Sequence, residues 1–287
     1  MPPISRRTFV RTVASSLGAT ALEGGASQQL SSLRPPNILF ICSDQHSGLV
    51  LGAQGHPVVR TPNLDRLASL GVNFRNAYCC SPVCVPARAS LMTGRFASDV
   101  GSYCNSTVFD GRVPTWGESL RERGYYCWAT GKMDLERGRD YGFQEVETTH
   151  GHSQDPDITS LFRAPVCFRV DERKNVNGGF NGGDNGDRDV AMRALSFLRD
   201  ESPKLNQPWA VYLGLLMPHP PWVAQRRYLD VYPPEKMLLP SLPAGYLERR
   251  HSIFQVLANF KNLSLPIPDE RIRSARAAYY AVLSEMD

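Results

Sequence analysis

The chain has 287 residues, enough to bury a sizeable core, and its 42% hydrophobic content with a mean hydropathy of −0.30 describes a globular protein rather than a disordered one. The formal charge of +4 is small and owed in part to Arg6, Arg7 and Arg11, so it gives no ground for a nucleic-acid partner. No run of about 18 apolar residues occurs, which leaves no candidate for stable membrane insertion as a spanning helix.

Residues 1–30 read as a twin-arginine type signal segment. Ser5-Arg6-Arg7-Thr8-Phe9-Val10 precedes the mildly apolar stretch Val13 to Leu22, and Gly24-Gly25-Ala26 offers small residues for cleavage. A short basic amphipathic helix is the alternative. The signal predicts export after folding, to the periplasm or the outside. Seven cysteines, an odd number, then leave at least one unpaired, and spacing does not give the pairing of the others.

Asn37 to Cys42 is a short apolar run of the kind found in buried parallel strands, and it ends beside Asp44, where the chain leaves the sheet. Thr61 as N-cap, Pro62 in the first turn and Gly71 as a stop bound a helix. Phe74 to Tyr78 reads as a strand. Pro86 suits a first helical turn, so a helix is expected from just after Cys84 to Gly94. Thr115 to Glu118 has capping-box spacing, with Gly124 closing that helix ahead of a strand over Tyr125 to Thr130. Asn177 to Asp187 is rich in turn formers, and its Asp and Asn residues suggest calcium, but neither an EF-hand Glu nor a repeated register follows; it reads as a loop ending in a helix cap. An amphipathic helix over Arg188 to Leu198, a buried strand over Trp209 to Leu215, a proline-punctuated excursion from Tyr228 to Pro268 and a helix over Asp269 to Met286 complete the order. Strands alternating with helices define an α/β fold, a mostly parallel central sheet with helices on both faces.

Cys84-Val85-Pro86-Ala87-Arg88 combines a nucleophile with an anion site. Position 84 falls at a helix N-terminus, where free N–H groups and the dipole favour negative charge. Arg88, one turn on, shares its face and offers a planar fork. Cys79, Cys80 and Cys84 could instead form a metal or disulfide cluster; against structural zinc, no second Cys pair follows at finger spacing and His is scarce nearby.

The Cys-x-Pro-x-Arg motif with the trailing Thr93-Gly94-Arg95 resembles the signature of formylglycine-dependent sulfatases, members of the alkaline phosphatase-like superfamily. Three further blocks resemble that family's N-terminal region in the same order: Pro36 to Asp44, Thr61 to Ala68, and Phe74 to Tyr78. Gly131-Lys132-Met133-Asp134, Tyr212 to Leu215 and Pro218-His219-Pro220 look closest to the arylsulfatase K branch, whose members act on sulfated uronate in glycosaminoglycans.

The resemblance implies an alkaline phosphatase-like sandwich over residues 36–287, in which Cys84 is oxidised to formylglycine by a maturation enzyme. One hydroxyl of the hydrated aldehyde attacks sulfur and the other expels sulfate. Asp44 matches the first metal carboxylate, with Cys84 as a further ligand and Ca²⁺ or Mg²⁺ as the cation. Gln45 stands where many sulfatases have a second Asp and would coordinate without adding charge. Arg88 would stabilise the nucleophile. Lys132 would contact sulfate as a point charge, and His219 would bind sulfate and assist the leaving oxygen. The family usually has His at position 134; Asp134 is either structural or a contact to a substrate group. The expected substrate is a sulfated small molecule or glycan.

The helix over Asp269 to Met286 stops at Asp287 without a C-cap, which reads as a cut, because sulfatases continue into a strand with an Asp-His or Asp-Asn metal pair. Two other functions stay open on the residues. One is a phosphate or phosphonate ester hydrolase of the same superfamily. The other is a non-catalytic product that binds sulfated glycans.

Overall fold

The computed structural model describes residues 34–105, 107–136, 138–144, 146–147, 179–180, 186–260, 263–264 and 266–287. The chain divides into Met1–Asn37 and Ile38–Asp287, and the fold below is that of the second unit. The signal segment, His150, His152, Cys167 and most of the Asn177 to Asp187 stretch lie outside the described residues.

Six strands occur among the described residues: β1 (Ile38–Cys42), β2 (Tyr126–Gly131), β3 (Val146–Glu147), β4 (Gly179–Phe180), β5 (Trp209–Gly214) and β6 (Val223–Ala224). Four form one parallel sheet in the order β1-β5-β2-β3, while β4 and β6 make a separate parallel pair. The helices are α1 (Pro62–Leu70), α2 (Cys84–Thr93), α3 (Trp116–Arg121), α4 (Asp187–Ser196), α5 (Arg226–Leu229), α6 (Tyr246–Arg249), α7 (Ile253–Phe260) and α8 (Asp269–Met286). The α/β architecture with a parallel sheet is therefore as expected.

Centrality explains why β5 reads as a continuous apolar run. Ala210, Val211 and Tyr212 are fully buried because both faces are covered. On one face, Ala210 and Tyr212 pack with Cys127 and Ala129 of β2 and with Ala89 and Met92 of α2. On the other, Val211, Leu213 and Trp128 meet Val190, Ala194 and Phe197 along α4 and the π-helical turn that follows it. Strand β1 differs from the expected buried strand. It pairs with β5, and among the described residues its Leu39 and Ile41 stay exposed while Ile38, Phe40 and Cys42 are half-buried.

A third cluster gathers under α8, where Tyr280, Ala281, Val282 and Leu283 pack on Val59, Met217 and Tyr232. This helix and its neighbour Tyr232 reach back to the segment between β1 and α1. Tyr279 Oη accepts from Ser47 N at 2.9 Å, and Tyr232 Oη accepts from Arg60 N at 2.9 Å and shares a 2.5 Å hydrogen bond with Ser284 Oγ.

Two sequence expectations change in detail. Phe74 to Tyr78 forms no strand: Phe74 and Tyr78 are 68% and 91% exposed, and the adjacent polar residues Arg75 and Asn76 break the alternation that would fix a register. Thr61 precedes α1, but its hydroxyl makes no cap. It accepts from Gly52 N and donates to Asp65 Oδ1, while the donors of the first turn, Asn63 N and Leu64 N, go to the Asp287 carboxylate at 3.0 and 2.8 Å. The capping box at α3 is present as predicted, with Glu118 N donating to Thr115 Oγ1 and Thr115 N to Glu118 Oε2.

Candidate active site

Register sets the site. Cys42 pairs with Gly214 and Gly214 with Gly131, so β1, β5 and β2 end in one row. Residues just beyond that row emerge together, the usual place for a ligand in a parallel sheet. Gly131 and Gly214 let the chains turn out there. Gly131 has φ 87°, a Cβ on it would lie 2.0 Å from Gly214 O, and Lys132 N donates to that same carbonyl at 2.8 Å.

Three loops deliver the chemistry. After β1, Asp44 N donates to Met217 O at 3.1 Å, which ties it to the loop after β5. That second loop is fixed by buried Asp187 at the head of α4, whose carboxylate oxygens accept from Leu216 N at 2.8 Å and Met217 N at 2.7 Å. His219 follows, half-buried, with Nδ1 2.6 Å from Pro220 O. After β2 come Lys132 and Asp134.

Helix α2 brings Cys84 and Arg88 to the same point. It starts at Cys84 and ends at Gly94, whose φ of 66° and N–H bond to Ser90 O close the last turn. The expected ring of free N–H groups is mostly used up: Pro86 has none, and Val85 N donates to Asn105 Oδ1 at 3.1 Å. Anion recognition therefore falls on side chains. Arg95 is exposed at the far end of the helix.

The side chains converge tightly. Lys132 Nζ lies 3.6 Å from Cys84 Sγ, 3.4 Å from Asp134 Oδ2, and in a short contact with Asp44 Oδ2. Cys84 Sγ is 3.9 Å from Asp44 Oδ2. Arg88 is buried beneath. Its Nε is 3.3 Å from Asp134 Oδ2 and its Nη2 3.7 Å from Asp44 Oδ2, while Nη1 donates to Lys132 O at 2.7 Å and in a short bond to Tyr212 Oη.

These contacts set the protonation states. Burial alone would raise the Asp44 carboxyl, but Lys132, Arg88 and His219 outweigh it and hold it below the usual value. Burial works against the Lys132 ammonium too, yet Asp134, Asp44 and Cys84 hold its pKa above the ordinary one. His219 is raised, first through its hydrogen bond to Cys84, against burial and with help from Pro220 O. Burial pushes the Tyr212 phenol up, so its hydroxyl stays protonated beside Arg88.

Of the residues singled out from sequence, Asp44, Cys84, Arg88, Lys132 and Asp134 meet directly, and His219 joins them through Cys84. Gln45 does not meet them through any described contact of its side chain; it is exposed, with φ 59°. Asp134 is fully buried, also at positive φ (52°). Sequence reasoning missed Tyr212 and Asp187. Tyr212 is the only residue of β5 besides Trp209 with a polar side-chain atom, and a buried phenol needs a partner; Asp187 is the last acid of the turn-rich stretch, where a helix begins.

A divalent cation is implied by the resemblance, and Asp44 with position 84 fits one. One atom each of Asp44, Cys84 and Asp134 lie within 4.8 Å of one another. Carboxylate oxygens suit a hard cation such as Ca²⁺ or Mg²⁺. Asp44 retains 12% side-chain exposure against 0% for Asp134, so Asp44 faces the open side, where a cation could also meet substrate. None of the six described cysteines, Cys42, Cys79, Cys80, Cys84, Cys104 and Cys127, is in a disulfide, so Cys79, Cys80 and Cys84 form no disulfide cluster.

A parallel sheet whose strand ends gather two cations and two carboxylates around one nucleophilic side chain defines an α/β protein with a candidate site at the usual ligand position of such a sheet. The chain belongs to the sulfatase family, whose profile matches residues 36–287. It is 31% identical over 267 residues to a choline-sulfatase of Rhizobium meliloti, covering 88% of this chain and 52% of that protein. With arylsulfatase K of Danio rerio it shares 28% over 274 residues, 88% of this chain and 49% of the other. Among solved structures, the phosphonate monoester hydrolase of Silicibacter pomeroyi aligns with a TM-score of 0.64 at 27% identity, covering 88% of this chain and 57% of that one. The fold is thus the alkaline phosphatase-like α/β fold. The chain spans about half the length of these relatives.

Proposed function

We propose that the protein of which this chain forms the sulfatase-family region hydrolyses sulfate esters through a formylglycine made from Cys84 by a maturation enzyme. The observation that supports it most is the meeting of Lys132, Asp44 and Arg88 around the Cys84 side chain at the row where β1, β5 and β2 end. Sγ marks the place of the aldehyde's oxygens.

Lys132 Nζ, 3.6 Å from Sγ, holds a non-bridging sulfate oxygen beside the nucleophile. Arg88 acts from below: its own hydrogen bonds to Lys132 O and Tyr212 fix it, and through them the backbone of Lys132. His219, with its proton held more firmly than an ordinary imidazole, gives a proton to the departing ester oxygen. Asp44, kept ionised by its cations, would hold Ca²⁺ or Mg²⁺ together with position 84. Such a cation, when bound, would neutralise charge and polarise a sulfate oxygen.

For the substrate we favour a sulfated sugar, as in the arylsulfatase K branch that the Gly131 to Asp134 and Tyr212 to Leu215 segments resemble; the similarity to choline-sulfatase makes choline sulfate the competitor. The segment at residues 1–30 would place the mature protein in the periplasm or outside the cell. No helix of the described residues is long and apolar enough to cross a membrane. A second function is supported by the similarity to a phosphonate monoester hydrolase. The full-length protein from its native host decides among these. Peptide mass spectrometry should find formylglycine at position 84, and Cys84→Ala should abolish sulfate release from a sulfated uronate saccharide. Unmodified thiol with undiminished turnover would sink the proposal.

A further inference from the structure

The charges of this site do not simply add up to a trap for anions. Arg88 and Lys132 contribute two positive charges, and Asp44 and Asp134 two negative ones, so the four residues are neutral together. Asp44 has an open side on which a cation can cancel it. Asp134 does not.

Asp134 is fully buried, and neither carboxylate oxygen has a hydrogen-bond partner among the described residues. Its contacts are ion pairs through one oxygen, at 3.3 Å to Arg88 Nε and 3.4 Å to Lys132 Nζ. A carboxylate that accepts short, aligned hydrogen bonds spreads its charge into the donors; a buried one held only by longer, off-axis ion contacts keeps a strong field around it. One of its oxygens lies within 4.8 Å of Cys84 Sγ, the point at which a transferred group would be bound. An additional negative charge on that group would meet the buried Asp134 carboxylate across a short path in a place of low dielectric.

We propose that Asp134 selects esters by charge: its buried carboxylate admits a singly charged group, such as a sulfate monoester or a phosphonate monoester, and disfavours the doubly charged phosphate monoester. This rests on the ester-hydrolase function proposed above and deepens it. Asp134 acts as a specificity-determining residue through space and through the two cations it faces, without needing to touch substrate.

Three 4-nitrophenyl esters, the sulfate, the phenylphosphonate and the phosphate, separate charge from element. At about pH 8 the phosphate, with a second pKa of about 6, is a dianion, whereas the other two are monoanions. With the matured full-length protein, kcat/KM for the phosphate should fall at least about a hundredfold below that for the phenylphosphonate, and Asp134→Asn should raise the phosphate-to-phenylphosphonate ratio at least about tenfold. The sulfate-to-phenylphosphonate ratio should stay within about threefold, and Asp134→Glu should return the phosphate ratio towards the wild-type value.

Parity of phosphate and phenylphosphonate in the wild type overturns the inference, and that measurement does not depend on the variant folding. So does a parallel loss of all three activities in Asp134→Asn, including a loss repaired by excess Ca²⁺, which would make Asp134 a cation ligand. Absence of sulfate hydrolysis in the wild type would instead defeat the sulfatase assignment, while the phosphate-to-phenylphosphonate comparison would still judge Asp134.

Discussion

Asp187 offers the sharpest test of how the strand-end loops are held. Its carboxylate is 5% exposed and accepts two backbone hydrogen bonds, from Leu216 N at 2.8 Å and Met217 N at 2.7 Å, two residues before His219. Asp187→Asn keeps the shape but leaves one acceptor oxygen for two donors, and turns an N–H₂ group towards a peptide N–H. Losing a hydrogen bond to a charged group costs about 1.5–3 kcal/mol, and an orphaned buried donor adds to it, so a total near 3 kcal/mol is expected. The weaker negative charge at the head of α4 adds a few tenths of a kcal/mol. For a protein of this size each kcal/mol lowers the melting midpoint by about 2–4 °C, which predicts a drop of about 6–12 °C by circular dichroism. A variant melting within about 2 °C of wild type would refute the idea that this carboxylate anchors the loop.

Two further perturbations probe other parts of the frame. His56 Nδ1 accepts from Val58 N and Val59 N at 3.3 and 3.0 Å, and burial, then Arg276, lowers its pKa, so the fold holds the ring neutral. The unfolded chain binds the proton first, near pH 6.5; stability is therefore fully present above that pH and is lost as pH falls towards the lower folded value. Urea unfolding between about pH 7.5 and 5 should show a steeper loss for wild type than for His56→Gln, and equal slopes would exclude this linkage. Gly131→Ala combines a φ of 87° with a Cβ 2.0 Å from Gly214 O, so it should destabilise by more than about 3 kcal/mol; a chemical denaturation midpoint equal to wild type would show that the two strands can part.

The features legible in the sequence were those with local causes. Asp44, Lys132 and His219 each follow an apolar run that becomes a strand, so their place at strand ends could be read directly, as could the Gly94 cap of α2 and the capping box of α3. What escaped was set by partners far along the chain. Tyr212 earns its role through Arg88 and Asp187 through Leu216 and Met217, none of them adjacent in sequence. The start of α1 shows the same limit, because Thr61 has the right chemistry for a cap but Asp287, more than two hundred residues on, takes the donors. Phe74 to Tyr78 misled because its residues favour a strand while no burial fixes a register for them.

The strand order has a consequence in time. Because β5 lies between β1 and β2, those first two strands cannot pair with each other, and Asp44 cannot meet Lys132 until Trp209–Gly214 has been synthesised and inserted. Until then α2 lacks the part of its packing surface that Ala210 and Tyr212 supply to Ala89 and Met92, and Cys84 stays in an unfinished stretch of chain. At synthesis rates of about 5–20 residues per second, the interval between making residue 84 and completing β5 lasts roughly 6–26 s. The topology thus leaves a period during synthesis in which Cys84 is not yet enclosed, and it closes when the central strand arrives.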